Sequence, residues 1–371
     1  MKTSIKLYIL IWILLISVLP SFKEMNPFVR LAIQIFPLLL SCRIKQMVPK
    51  RPYIILFIFT YIFSSINGNS NFVGIFCLIL LPVICINCYK KCLTLNSAVF
   101  RFGAIILYLT NCIICILEYN LHVNYLSYDL SYFDHFRSTG LWIHPLFNAL
   151  ITCMCMLFIL LSNMNKYVKF SLYAIGIYTM FTFDARAATI MLLISSMFIL
   201  YAQGVLKMRY SIYLIILIIF GYYFYIYLIN SGMGGKMLLI TEDNLNEDSS
   251  IMARFVAIDI LYNSTWEELL CGIKNKEAIF AKYGIIAIEN SFVDLTLTYG
   301  LITSICFFIL YIKELNYMMI TTFEKKYRYL VLISFIFVGM ACTALTEYFV
   351  WLAFITFFYG FYPYKNNKIY H

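Results

Sequence analysis

Arg137, Arg186 and Arg254 are the residues of this sequence best suited to do chemistry, because each lies against an apolar run where a charge is costly to place. A guanidinium fork binds phosphate through two parallel hydrogen bonds and does not lose its proton. Three of them on one face of a membrane protein suit an anion, and a lipid diphosphate is the natural form of such an anion there. If the diphosphate is a leaving group, the same arginines stabilise the charge that develops as its bond breaks. Carboxylates accompany them. Asp184 lies two residues before Arg186 in a tight turn, Glu289 and Asn290 open an apolar run, and Asp294 stands one turn deeper on the same face. Glu289 could take the proton from an attacking hydroxyl. The Asp184-Ala185-Arg186 turn carries two readings: an internal ion pair, or a guanidinium presented to a ligand. Glu118, Asp134 and Glu347 are read as helix ends in headgroup territory.

Metal and redox chemistry have no comparable support. There is no HExxH and no DxD, and His122, His135, His144 and His371 are scattered. Cys112 and Cys115 have CxxC spacing but no second pair and no histidine at ligand spacing, so they are read as small hydrophobes inside a helix. The 12 cysteines describe no disulfide framework. No cofactor and no metal are expected.

The elements that hold these residues follow from composition. Of 371 residues 63% are hydrophobic, 18% aromatic and 12% charged, against about 25% charged in a soluble domain. A water-soluble globule of this size cannot hide that much apolar surface. A soluble enzyme, a disordered chain, a collagen and a disulfide-stapled module are excluded, and an all-α polytopic membrane protein remains. The net charge of +10 is not a nucleic-acid footprint, because no basic run long enough to track a phosphate backbone occurs.

Breaks at charge clusters, Pro and polar runs give twelve candidate spans, near 5–20, 28–42, 53–66, 72–89, 98–117, 145–162, 168–183, 186–203, 211–230, 290–312, 329–345 and 348–364. The first resembles a signal peptide, with Lys2 and Lys6 ahead of it, but no small-x-small site follows Pro20, so it reads as an uncleaved helix. With both termini cytoplasmic, 19 of the 28 basic residues and two of the 18 acids fall inside, leaving nine and sixteen outside. That obeys the positive-inside rule, and a frame shifted by one helix reverses it. The chain is thus one domain, 1–371, with two long outer segments, 118–144 and 231–289. In the larger, Ser250 is positioned to cap a helix from Ile251, and Thr265-Trp-Glu-Glu268 has capping-box spacing. Ile251, Phe255, Ile258 and Tyr262 form one stripe, so this helix is expected along the membrane surface or over the bundle. Arg254 falls within that apolar stripe, between Ile258 and Leu261, and a charge on the buried face needs a partner.

In three places the sequence resembles the superfamily of O-antigen polymerases (Wzy-type) and O-antigen ligases. Arg137-Ser-Thr-Gly140-Leu-Trp-Ile-His144-Pro145-Leu-Phe-Asn148 is similar to the family's R-x-x-G…(N)P-N-x-x-A segment, and Asp184-Ala-Arg186 to its S/D-x-R turn. Arg254, Gly272, Glu289-Asn290 and Gly300 resemble its long periplasmic loop with the H-N-x9-G ending. The likeness covers roughly 118–310. Two positions depart: Glu289 stands where ligases have histidine, and His144 where the family has asparagine before the proline. The resemblance implies a GT-C-like fold in the bacterial inner membrane and polymerisation of oligosaccharide repeat units carried on undecaprenyl diphosphate. The growing chain is transferred to the non-reducing end of a single unit, without a metal or nucleotide sugar, alongside a flippase and a chain-length regulator of the same pathway. It makes Arg186, Arg254 and Glu289 the catalytic group: the two arginines hold the diphosphate and Glu289 contacts the acceptor hydroxyl. Arg137, His144, Asn148, Asp184, Asn290 and Asp294 become substrate-binding residues. Tyr125, Tyr128, Tyr132, Phe133 and Trp142 are read first as interfacial anchors and second as platforms for sugar rings. The alternatives are a ligase of the same superfamily and a lipid-linked oligosaccharide transporter or flippase. Transporters show paired halves with polar groups at the midplane, and neither is visible here.

Overall fold

A computed structural model describes residues 47–68, 71–92, 97–126, 136–204, 249–285 and 288–362, together with positions 26, 28, 29, 31–33, 35, 223 and 226. The expected spans 5–20 and 211–230 lie outside these, and 28–42 is described only in part. The described residues hold α-helices and two 3-10 turns and no strand.

The helices are α1 (Arg51–Ile66), α2 (Phe72–Ile79), α3 (Leu81–Cys92), α4 (Ser97–Leu121), α5 (Pro145–Leu161), α6 (Lys166–Phe181), α7 (Arg186–Ala202), α8 (Ser249–Asn263), α9 (Trp266–Cys271), α10 (Lys276–Tyr283), α11 (Ser291–Tyr299), α12 (Leu301–Met319), α13 (Lys325–Met340) and α14 (Tyr348–Phe361). Three runs, Phe72–Tyr89, Phe100–Leu121 and Leu301–Met319, are long and apolar enough to cross a membrane. Four shorter apolar helices, α1, α5, α7 and α14, stand beside them.

Local chemistry sets the boundaries. Asn71, Asn165, Asn275 and Asn290 cap α2, α6, α10 and α11 through their side chains. Pro145 opens α5, where its missing N–H costs nothing. Within the expected span 72–89 the helix breaks at Leu80, ahead of Pro82. A proline cannot donate to the carbonyl four residues back. Tyr311 Oη of α12 takes that role, donating to Leu78 O at 2.6 Å and Ile79 O at 3.2 Å.

Two helices form the centre. All of α14 from Phe349 onward is buried, as is most of α5, which is how a helix apolar all round must be placed. The ring contact Phe147–Phe349 joins their starts and Tyr362 Oη→Phe158 O, 2.8 Å, joins their ends, so the two run parallel. The other long helices surround them in one continuous core.

The same contacts define two ends. One end gathers the starts of α1, α6 and α13 with the ends of α5, α12 and α14, fixed by Lys50–Glu314 at 2.8 Å and Lys169 Nζ→Leu160 O at 3.1 Å. It carries Lys50, Arg51, Lys166, Lys169, Lys325, Lys326 and Arg328. The opposite end carries Glu118, Asp184, Glu289, Asp294 and Glu347 with Arg137 and Arg186.

Over that opposite end lies a small second core. Ala257 and Ile260 of α8 pack with Ile273, Ile288, Val293 and Leu297. Helix α11 therefore serves two cores, giving Leu295 to the bundle and Val293 and Leu297 to the loop helices. Helix α8 begins at Ser249, so Ser250 lies inside it and does not cap it. The expected span 290–312 is interrupted at Gly300 and runs on to Met319.

Candidate functional site

Two groups of the expected residues converge at the acidic end. In the first, the end of α4, the segment 136–144 and the α6–α7 turn meet. Glu118 is fully buried. Its carboxylate accepts from Thr139 N at 2.7 Å, Gly140 N at 2.8 Å and Tyr125 N at 3.1 Å. The headgroup reading of Glu118 is thereby corrected: a buried charge persists only when its oxygens are satisfied, and backbone N–H groups satisfy these. Asn111 Oδ1 accepts from Leu141 N at 3.0 Å, and the Asn148 amide donates to Thr139 O and His144 O. Gly140 has φ +51°, and a Cβ there would come within 2.5 Å of Cys115 Sγ and 2.7 Å of Asn111 Oδ1. Only glycine fits that crossing.

This strap aims Arg137 at Asp184. Arg137 Nη2 donates to Asp184 Oδ2 at 3.1 Å, with side-chain exposures of 15% and 5%, and Ser138 N donates to Thr182 O at 3.0 Å. Asp184 takes a left-handed conformation, φ +50°, which an Asp tolerates in a turn. Asp184 thus sits in an ion pair whose cation, Arg137, comes from outside the Asp184-Ala185-Arg186 turn. Arg186 occupies the first position of α7, half-exposed. Ala185, the residue before it, offers no side-chain cap.

The second group surrounds α11. Asn290 Oδ1 accepts from Phe292 N and Val293 N at 3.0 and 3.1 Å. Ser291 Oγ donates to Gly339 O and Cys342 O, which ties α11 to the turn before Glu347. Asp294 pairs with Lys276 Nζ at 2.6 Å. Glu289 is half-buried two residues before α11 begins. Arg254 belongs by its backbone to α8, and its side chain lies outside the described set.

Several expected ligands have structural duties. His144 Nδ1 caps α5 by accepting from Leu146 N, and its ring packs 4.7 Å from that of Phe147. Asn148 is wholly buried. Trp142 is buried with its ring edge-on to Phe357, so it is a core residue and no interfacial anchor. Tyr125 is half-exposed, as an anchor would be, while Tyr128, Tyr132, Phe133 and Asp134 lie outside the described residues. Sequence reasoning missed the Glu118 clamp and Lys276. Among the described residues no group of three or more His, Cys, Asp or Glu is arranged to hold a metal ion.

No protein-family model matches the chain, and no curated protein matches it.

Proposed function

We propose that the chain is a multi-pass membrane glycosyltransferase that polymerises oligosaccharide units carried on undecaprenyl diphosphate, as its resemblance to the O-antigen polymerases implies. The observation that carries this reading is the start of α7. The N-cap residue there is Ala185, which makes no side-chain cap, and the N-terminal end of a helix dipole attracts anions. Arg186 adds a guanidinium at the same point, and the Arg137–Asp184 pair holds the turn that presents both.

In the reaction an acceptor hydroxyl attacks the anomeric carbon of the donor sugar. The bond from that carbon to the diphosphate oxygen breaks, and the diphosphate leaves with the electron pair. Arg186 and Arg254 stabilise that charge. The hydroxyl proton passes to Glu289. Arg137 acts through Asp184 as a positioning residue.

The same reading gives twelve spans, residence in the bacterial inner membrane, cytoplasmic termini and a periplasmic site. Its support is the separation of basic and acidic residues to opposite ends of the bundle. Ala202 ends at the basic end and Ser291 begins at the acidic one, as a single crossing between them requires.

The test is turnover by the full chain in vesicles supplied with a polyprenyl-diphosphate oligosaccharide. A ladder of polymer is expected. Arg186→Ala should slow it by about 100-fold or more, the usual loss when one donor to a developing oxyanion is removed, and Arg186→Lys should recover part of the rate. Undiminished ladders from Arg186→Ala sink the diphosphate clamp. Transfer only to a lipid A core would identify a ligase, and passage of the lipid-linked unit without a new glycosidic bond a transporter.

A further inference from the structure

Helix α8 is apolar on two sides. Ala257 and Ile260, flanked by Val256 and Leu261, fill the second core against α11. On the opposite side Phe255 is 64% exposed, Ile258 62% and Tyr262 88%. Asp259 and Asn263 occupy the narrow sector between the two, and Arg254 marks the other edge. Helix α9 continues the outward face with Trp266, 77% exposed, and Leu270. A helix needs one apolar face to fold onto its neighbours. The second, with four large side chains in contiguous turns, is a surface that water does not favour. Of the two placements expected for the stripe, along the membrane surface or over the bundle, its described members Phe255, Ile258 and Tyr262 are exposed, and the contact with the second core is made by Ala257 and Ile260.

Where this face sits identifies what covers it. Asn67, the residue that ends α1, donates its amide to Cys271 O and Gly272 O at 2.6 and 2.7 Å. Gly300 at the α11–α12 junction lies against Leu270 O. Helices α8 and α9 are therefore held at the level where α1 ends. Below that level the outward faces of α1 and α12 are bare aliphatic rows, Ile55, Ile58, Ile62 and Ile66 on one and Ile302, Ile305 and Ile309 on the other. The exposed face of α8 and α9, held at the end of these rows, changes the mix by adding Phe255, Tyr262 and Trp266 to Ile258 and Leu270. That change is the residue preference of the boundary between acyl chains and headgroups.

We infer that Phe255, Ile258, Tyr262 and Trp266 seat α8 and α9 in the headgroup boundary of the outer leaflet, as an interfacial helix pair docked on the bundle. This rests on the proposal that α1 and α12 cross a bilayer. It sets a depth for Arg254, at the edge of the stripe, equal to that of a lipid phosphate.

Trp266 reports on the contact, because Trp142 and Trp351 are buried and the contribution of Trp12 is removed by subtracting the spectrum of Trp266→Phe. The full chain in vesicles of phosphatidylcholine and phosphatidylglycerol is titrated with lipids carrying a nitroxide near the headgroup or near the acyl terminus. The difference signal should lose intensity to the shallow nitroxide, lose less to the deep one, and resist aqueous iodide. In the triple variant Phe255→Ser, Ile258→Ser, Tyr262→Ser, iodide should gain access. An Ile309→Trp variant, read the same way, reports on the bundle. Quenching of Ile309→Trp by the deep nitroxide with no lipid quenching of Trp266 overturns the interfacial seat and leaves the membrane bundle standing. Protection of Trp266 from iodide and from both nitroxides would assign the stripe to a protein partner, also overturning it. Loss of lipid quenching at both positions overturns the bilayer reading and this one together.

Discussion

A carboxylate in the last turn of an apolar helix opposes the helix dipole, and Glu118 holds that position in α4 with no exposure to solvent. Its sequence position shows the oddity. Its partners were not legible, since Thr139 and Gly140 lie more than twenty residues on and nothing local says which segment returns to it. Replacing Glu118 by Leu would orphan the Thr139 and Gly140 N–H groups, at about 1–3 kcal/mol each. Glu118→Gln keeps one acceptor oxygen and should lose less. Thermal denaturation in detergent orders the variants, and equal melting temperatures for Leu and wild type would exclude the clamp. The Arg137–Asp184 pair permits a sharper experiment. Arg137→Asp or Asp184→Arg alone sets like charges together in a half-buried site, whereas the double exchange restores the attraction. Recovery of stability in the double variant beyond the sum of the singles is expected. Simple additivity would mean that the pair contributes nothing.

At the scale of elements, legibility followed the distance between interacting residues. The capping box at Thr265 was readable because both partners are local, and it forms as spaced: Thr265 Oγ1 accepts from Glu268 N while Thr265 N donates to Glu268 Oε2. The break at Gly300 was not readable, because no proline or charge cluster marks it within 290–312 and the cause lies in another segment. Gly300 has φ +88° and ψ 158°, a region nearly confined to glycine, and its missing Cβ lets Leu270 O approach to 2.0 Å of where that atom would be. Gly272, φ +85°, makes the reciprocal approach to Thr298 O. These two glycines let α9 lie directly on the α11–α12 junction. Gly68, φ +79°, separates strain from crowding, because nothing lies within 4 Å of its would-be Cβ. Gly68→Ala should cost about 1–2 kcal/mol from backbone strain alone. Gly300→Ala should cost more and also expose the second core, read as faster proteolysis within 249–285. Equal melting temperatures for the two variants would remove the close approach as the reason for Gly300.

At the scale of the whole molecule, most of the scarce charges among the described residues are sorted by end. That sorting was legible as a count, because the positive-inside rule acts on the segments next to each span and requires no tertiary contact. The two central helices left a partial signal: α5 and α14 carry no charged residue and are apolar all round, unlike α1, α7 and α12, but which neighbours enclose them is set by packing alone. The sorting has a direct chemical consequence. Lys325 and Lys326 stand at the basic end, and Lys274 and Lys282 are exposed at the acidic end. Lys326 lies beside Glu324, 3.1 Å away, and the hydrogen bond that its ammonium donates to that carboxylate raises its pKa. A raised value keeps the amine protonated to higher pH, so its acylation at neutral pH should be slow and should speed up as the pH is raised. A membrane-impermeant amine reagent applied to intact cells, followed by peptide mapping, should modify Lys274 and Lys282 and spare Lys325 and Lys326. Permeabilised cells should then yield Lys325 as well, with Lys326 joining only as the pH is raised. Protonation alone would slow the labelling of Lys326 on either side of the membrane, so Lys325 is the residue that decides. Its modification in intact cells together with that of Lys274 and Lys282 would put both ends of the bundle on one side of the barrier and remove the transmembrane arrangement. Modification of Lys325 with protection of Lys274 and Lys282 would invert the orientation and move Arg186 and Glu289 to the cytoplasmic face.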